Sequence, residues 1–150
     1  MDYLVLLTYI FFSNALGHDY FKGDIKIEHP VLRMTTENSK IGAGYMRIIN
    51  NSEHTVKLTR IEANIAQNQE IHEVVLENEI YKMRPLKSAL AINPNSDLVF
   101  KPKSYHFMFF NINNNHEKDE MLKANLIFNN NIAVPIEFKV IIGNKQHKHN

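Results

Sequence analysis

From Asp24 to Ile142 the chain is a series of short apolar runs, many alternating with polar residues, separated by clusters rich in Asn, Ser and Pro. Alternation with period two marks a strand that buries one face, and the helical period of 3.6 is nearly absent. The pattern predicts strands at Asp24–Glu28, Ala43–Asn50, Val56–Ala63, Glu70–Leu76, Ile80–Arg84, Ala89–Ile92, Leu98–Lys101, Tyr105–Asn111, Leu122–Phe128 and Ala133–Ile142. Asn50-Asn51-Ser52, Glu77-Asn78-Glu79, Asn93-Pro94-Asn95-Ser96 and Asn129-Asn130-Asn131 read as the turns between them. Asn113 to Glu120 reads as a polar loop. Many short strands at close spacing, without repeat or linker, predict one all-β domain, an antiparallel sandwich or barrel.

The ends of the chain differ from its body. Tyr3 to Phe12 is almost unbroken apolar sequence, followed by Ser13-Asn14-Ala15-Leu16-Gly17. Small residues at Ala15 and Gly17 fit a signal-peptidase site, so residues 1–17 are expected to be an export signal and His18 to open the mature chain. Asp2 stands where a basic residue is usual; an uncleaved anchor or a buried first strand are the competing readings. The apolar stretch is shorter than the roughly 20 residues a membrane-spanning helix needs. The domain proper is expected at 18–144, with 145–150 (Lys145-Gln146-His147-Lys148-His149-Asn150) a basic, histidine-bearing tail.

Composition narrows the function. The chain has 150 residues, a formal charge of +1 and no cysteine. A near-neutral chain carries no electrostatic footprint for nucleic acid or an anionic membrane. Absence of thiols excludes disulfide scaffolds, thiol nucleophiles, zinc ribbons, iron–sulfur centres and blue-copper electron-transfer sites, and leaves a lipoprotein anchor without an acceptor.

Tyr105-His106-Phe107-Met108-Phe109-Phe110 is the most informative segment. On a strand, Tyr105, Phe107 and Phe109 share one face and read as core, while His106 and Met108 share the other, about 7 Å apart. Glu70–Leu76 and Ile80–Arg84 read as a hairpin. A two-residue loop at Glu77-Asn78 would pair Leu76 with Glu79 and set His72 directly opposite Met83; another loop would slip that register. Two imidazoles and two thioethers make a soft, neutral ligand set. Thioethers serve zinc, calcium and magnesium poorly and suit copper(I). Tyr45 and Met46 read as packing residues, and Gly42 and Gly44 as places of bend or close backbone approach.

At these residues the sequence resembles the periplasmic copper(A) chaperones, the PCu(A)C family. Their signature is a histidine, ten residues, a methionine, about twenty-one more and then H-x-M. Here His72 is followed by ten residues and Met83, then by twenty-two and His106-Phe107-Met108. Glu70-Ile71-His72-Glu73 is similar to the family's E-x-H-E, and Tyr81-Lys82-Met83-Arg84-Pro85 to its M-K-M-R-P. Leu98-Val99-Phe100-Lys101-Pro102 with Tyr105-His106-Phe107-Met108 resembles its L-K-P-G-G-Y-H-L-M. Gly44-Tyr45-Met46 with Ile49-Asn50-Asn51 resembles its A-Y-M-x-I-x-N. Lys103-Ser104 replaces the family's glycine pair, and Ile92-Asn93-Pro94-Asn95-Ser96 its I-P-A-G-G turn. No tryptophan is present, and Val31 or Leu32 occupies the family's tryptophan region.

The resemblance implies a cupredoxin-like or Ig-like Greek-key sandwich holding one Cu(I) on His72, Met83, His106 and Met108. A periplasmic, monomeric carrier is expected rather than an enzyme, since no nucleophile–base pair, phosphate loop or paired-carboxylate motif stands out in the sequence. Its acceptor would be the CuA centre of cytochrome c oxidase subunit II, with Sco-type proteins as co-workers. Glu73 and Arg84 would flank the site as solvated charges. A copper-buffering protein would use the same ligands, and a metal-free Ig-like binding module the same core. His18, His147 and His149 are candidate sites for Cu(II). His29, His54 and His116 have no partner evident in the sequence.

Overall fold

The computed structural model describes residues 18–143, so the expected signal segment 1–17 and the tail 145–150 lie outside the described residues. Among the described residues eleven strands form, in chain order: β1 (Asp19–Lys22), β2 (Ile25–Met34), β3 (Ile41–Asn50), β4 (Val56–Ala63), β5 (Ala66–Glu77), β6 (Ile80–Pro85), β7 (Leu90–Ile92), β8 (Ser96–Phe100), β9 (His106–Ile112), β10 (Met121–Phe128) and β11 (Ala133–Ile142). The only helical element among the described residues is a short 3-10 turn at Asn129–Asn131. The strands hydrogen-bond in the order β6-β5-β9-β3-β2-β11-β10-β4-β7, with β1 added to β2 and β8 to β3. This path wraps into a β-sandwich. Every pairing is antiparallel except β11 with β2, which run parallel at Lys139–Ile142 against Val31–Met34.

The period-two pattern becomes a core. Along β2, Ile25, Ile27, Leu32 and Met34 are buried; Met46 and Ile48 of β3, Phe107 and Phe109 of β9, and Phe138 and Val140 of β11 join them. Phe107 stacks on Phe100, ring centroids 4.5 Å apart, and Phe138 meets Phe109 edge-on at 5.6 Å. Gly44 is where aromatics press on the backbone. A Cβ there would lie 3.0 Å from Phe138 and 3.1 Å from Phe107 Cβ.

Three elements depart most from the sequence pattern, among them β5, which begins at Ala66 rather than Glu70. β1 is an additional strand, and β2 continues past Glu28 to Met34. A bulge at His29-Pro30 breaks its register against β3 between Glu28 and Val31. The bulge interrupts the alternation, which is why the pattern stops at Glu28. β3 in turn serves two partners: Ile41–Gly44 pairs with β9 and Met46–Asn50 with β8. The chain between β8 and β9 closes in a tight turn, Ser104 N–H bonding Lys101 O (3.1 Å) and Lys101 N–H bonding Tyr105 O (3.0 Å). That turn delivers the start of β9, and with it His106, next to β5.

Buried Asn50 closes the far end of β3. Its amide donates to the carbonyls of His54, Ile92 and Asn93, and its carbonyl accepts from Ser52.

Candidate metal centre

β9 lies between β5 and β3 and sends alternate side chains to opposite faces. Phe107 and Phe109 are fully buried in the core. His106 and Met108 therefore point away from it, yet they too are buried, 4% and 9% exposed. The β5–β9 register pairs His72 with His106 and Glu70 with Met108. All four side chains thus stand on one outer face, with β3's Ala43 beside Met108 on the other flank. His72 is 8% exposed; its ring lies 5.6 Å from that of His106 and 5.9 Å from that of Phe110.

Each imidazole uses one nitrogen and leaves the other free. His72 Nε2 donates to Glu70 Oε2 at 2.7 Å, and His106 Nδ1 to the Ser104 carbonyl at 2.9 Å. His72 Nδ1 and His106 Nε2 are buried and have no hydrogen-bond partner. A buried polar atom without a partner costs about 1–3 kcal/mol. Two such atoms on paired histidines are an arrangement a bound cation relieves. The Glu70 carboxylate and the Ser104 carbonyl behave as outer partners do in metal sites, fixing the tautomer and leaving the other nitrogen's lone pair free. Burial lowers the His106 pKa below the ordinary histidine value; the Ser104 carbonyl opposes this and the neighbouring His72 adds to it. The neutral, ligating form of His106 is the one the fold favours.

Met83 requires a correction. The hairpin loop is Asn78-Glu79, with Glu77 paired to Ile80, so His72 faces Pro85 and Met83 faces Val74. The expected loop at Glu77-Asn78 gives way because both loop residues adopt the left-handed conformation, φ 49° at Asn78 and 63° at Glu79. Two residues with positive φ make the hairpin turn whose twist matches the strands. The slip amounts to two residues, so Met83 keeps the face it shares with His72 and stands diagonal to it, within reach of a long side chain. It is 60% exposed, unlike the other three candidate ligands.

Glu70 enters the sequence reading only within the E-x-H-E match, without a role of its own. Two positions from His72 on one strand, it shares that face by the same periodicity that placed Met108. Glu73 and Arg84 are cross-strand partners on the reverse face, where Arg84 and Lys82 both pair with Glu77. Met46 is core, as expected, and Tyr45 is half-buried on the outer side. His18 lies at the start of the described chain, its Nε2 bonded to the Pro30 carbonyl (2.8 Å). His147 and His149 lie outside the described residues. Among the described residues no three His, Cys, Asp or Glu side chains gather around one point. Beyond the two histidines and Glu70, which His72 Nε2 engages, the donors standing on this face are the thioethers of Met108 and Met83. No helix among the described residues is long and apolar enough to cross a membrane.

No curated protein matches the chain by sequence. Solved structures match its fold. The copper-bound PCuAC domain from PmoF2 superposes with a TM-score of 0.68 at 22% identity, over 83% of this chain and 98% of that one. The apo PCuAC domain from PmoF1 gives 0.69 at 21%, over 83% and 99%. The solution structure of CuI-DR1885 from Deinococcus radiodurans gives 0.61 at 14%, over 79% and 77%. At these identities the likeness establishes a shared fold, the PCuAC-type β-sandwich. A family model matches residues 25–140, most of the chain, and by that match the protein belongs to the LpqE-like family.

Proposed function

We propose that this protein carries copper(I) on His72, His106, Met108 and Met83 and surrenders it to a partner by ligand exchange. The observation that carries the reading is the pair of cross-strand imidazoles, each buried, each with one unpartnered nitrogen, beside a buried thioether. Copper(I) is the ion that accepts such a neutral N and S donor set. Two of the solved structures sharing the fold are of copper-bound proteins, the PCuAC domain from PmoF2 and CuI-DR1885.

Exposure divides the labour among the ligands. His72, His106 and Met108 form a sheltered base, and Met83, on the open edge strand β6, is the arm a partner can displace. Thioethers are weak donors, so a thiolate or imidazole approaching from the β6 side would replace Met83 first. In keeping with the family resemblance, the acceptor in this reading is the CuA centre of cytochrome c oxidase. Sco-type proteins would act beside it, and an export signal at 1–17 would place the protein in the periplasm.

Copper(I) titration against a competing chelator tests the site. One equivalent should bind the intact chain, and His72→Ala or His106→Ala should weaken it by more than the roughly 10–100-fold that loss of an outer-shell partner costs. Unchanged affinity in both variants would refute the assignment. Loss of CuA loading in a deletion strain is the expected result for delivery.

A further inference from the structure

A second histidine pair stands at the junction of β1 and β2, with β3 between β2 and β9 in the hydrogen-bonding order. The β1–β2 register pairs Asp19 with Glu28, which places His18 just before β1 across from His29. Their ring centroids are 6.0 Å apart, close to the 5.6 Å between His72 and His106. His18 Nε2 donates to the Pro30 carbonyl at 2.8 Å, so its Nδ1 carries the free lone pair. This is the device seen at His106, a main-chain carbonyl fixing the tautomer of an imidazole. His29 sits in the β2 bulge at φ 49°, a conformation costly for a residue other than glycine, and its side chain is 64% exposed. Asp19 adds a third feature. Lys26 approaches its Oδ2 (3.3 Å), but Oδ1 is buried without a hydrogen-bond partner and lies 3.8 Å from His29 Nδ1.

We propose that His18 and His29 form a second metal site, for a divalent transition ion. Two imidazoles without a thioether are a borderline donor set. It suits copper(II) or zinc rather than copper(I), and copper(II) ahead of zinc by the general order of affinities. With only two side-chain ligands, water completes the coordination, and Asp19 Oδ1 accepts a hydrogen bond from that water or from the His29 ring. The site is separate in place and in chemistry from the His/Met centre.

The test is copper(II) titration of the full chain carrying His147→Ala and His149→Ala, so that the tail contributes nothing, followed by calorimetry and electron paramagnetic resonance. One equivalent with nitrogen hyperfine structure is expected. His29→Ala and His18→Ala should each weaken it by at least about tenfold, since losing a ligand costs no less than losing its outer partner. The pair His72→Ala/His106→Ala should leave it intact. His29 is exposed, so its alanine variant is expected to fold, and an unchanged thermal melt checks this. Unaltered affinity and spectrum in His29→Ala would overturn the proposal. So would disappearance of the copper(II) signal in His72→Ala/His106→Ala.

Discussion

His72 and His106 are direct cross-strand partners, and each hydrogen-bonds through one ring nitrogen while leaving the other buried and bare. An apolar pair in their place would cost nothing of this kind. The arrangement therefore points to a ligand, and its consequences can be measured one residue at a time.

Glu70 should matter to copper without touching it. Its carboxylate holds His72 Nε2–H and so keeps Nδ1 free. Glu70→Ala is expected to weaken copper(I) binding by roughly 10-fold, within the usual range for such partners, with Glu70→Gln retaining most of the affinity. Chelator competition reads both. Equal affinity for the wild type and Glu70→Ala would mean the carboxylate plays no orienting role.

Met83 and Met108 should separate kinetically. Met83 is 60% exposed and Met108 9%. In stopped-flow transfer to a thiolate acceptor, Met83→Ala should change the release rate with little effect on folding. Met108→Ala should lower both affinity and melting temperature, because it empties buried volume. A release rate unchanged in Met83→Ala would remove the exchange role given to the edge strand.

The β5–β6 turn carries local strain. Glu79 is held at φ 63°, where a side chain is disfavoured and glycine is not. Glu79→Gly, making the Asn-Gly sequence this turn prefers, should stabilise the fold by about 1 kcal/mol after allowing for glycine's freedom when unfolded. Thermal unfolding measures it. A lower melting temperature would contradict the turn assignment.

Acid stability should involve Glu28. The hydrogen bond from Lys26 holds its carboxyl below the ordinary glutamate range, with Arg47 adding to this and burial opposing. A carboxylate whose folded pKa is depressed binds fewer protons folded than unfolded. Its stabilisation is complete above the unfolded value and fades as the pH falls through the folded one. Glu28→Gln should therefore flatten the loss of stability on acidification. Denaturant melts over that pH range that superpose on the wild type's would argue against the contribution.

Much of the architecture was legible because period-two alternation reports directly which side of a strand meets the core. It placed most of the strands within a few residues, set Phe107 and Phe109 inside, and put His106 with Met108 outside. β1 and the later half of β2 gave no such signal. The bulge at His29-Pro30 breaks the alternation, and Val31–Met34 beyond it pairs in parallel with β11, a partner about a hundred residues away.

Register was beyond the reach of pattern. Whether the hairpin turns at Glu77-Asn78 or at Asn78-Glu79 depends on which residues accept positive φ. The two choices leave every side chain on the same face, so hydrophobicity does not distinguish them. By itself the sequence determined an all-β chain with two histidines and two methionines able to share one side. Tertiary structure decided that His72 pairs with His106, that Glu70 holds His72, that Met83 is the exposed member, and that His29 finds His18. The physical reason is that alternation is a property of one strand alone, whereas distances between donors are fixed only when strands hydrogen-bond in a definite register.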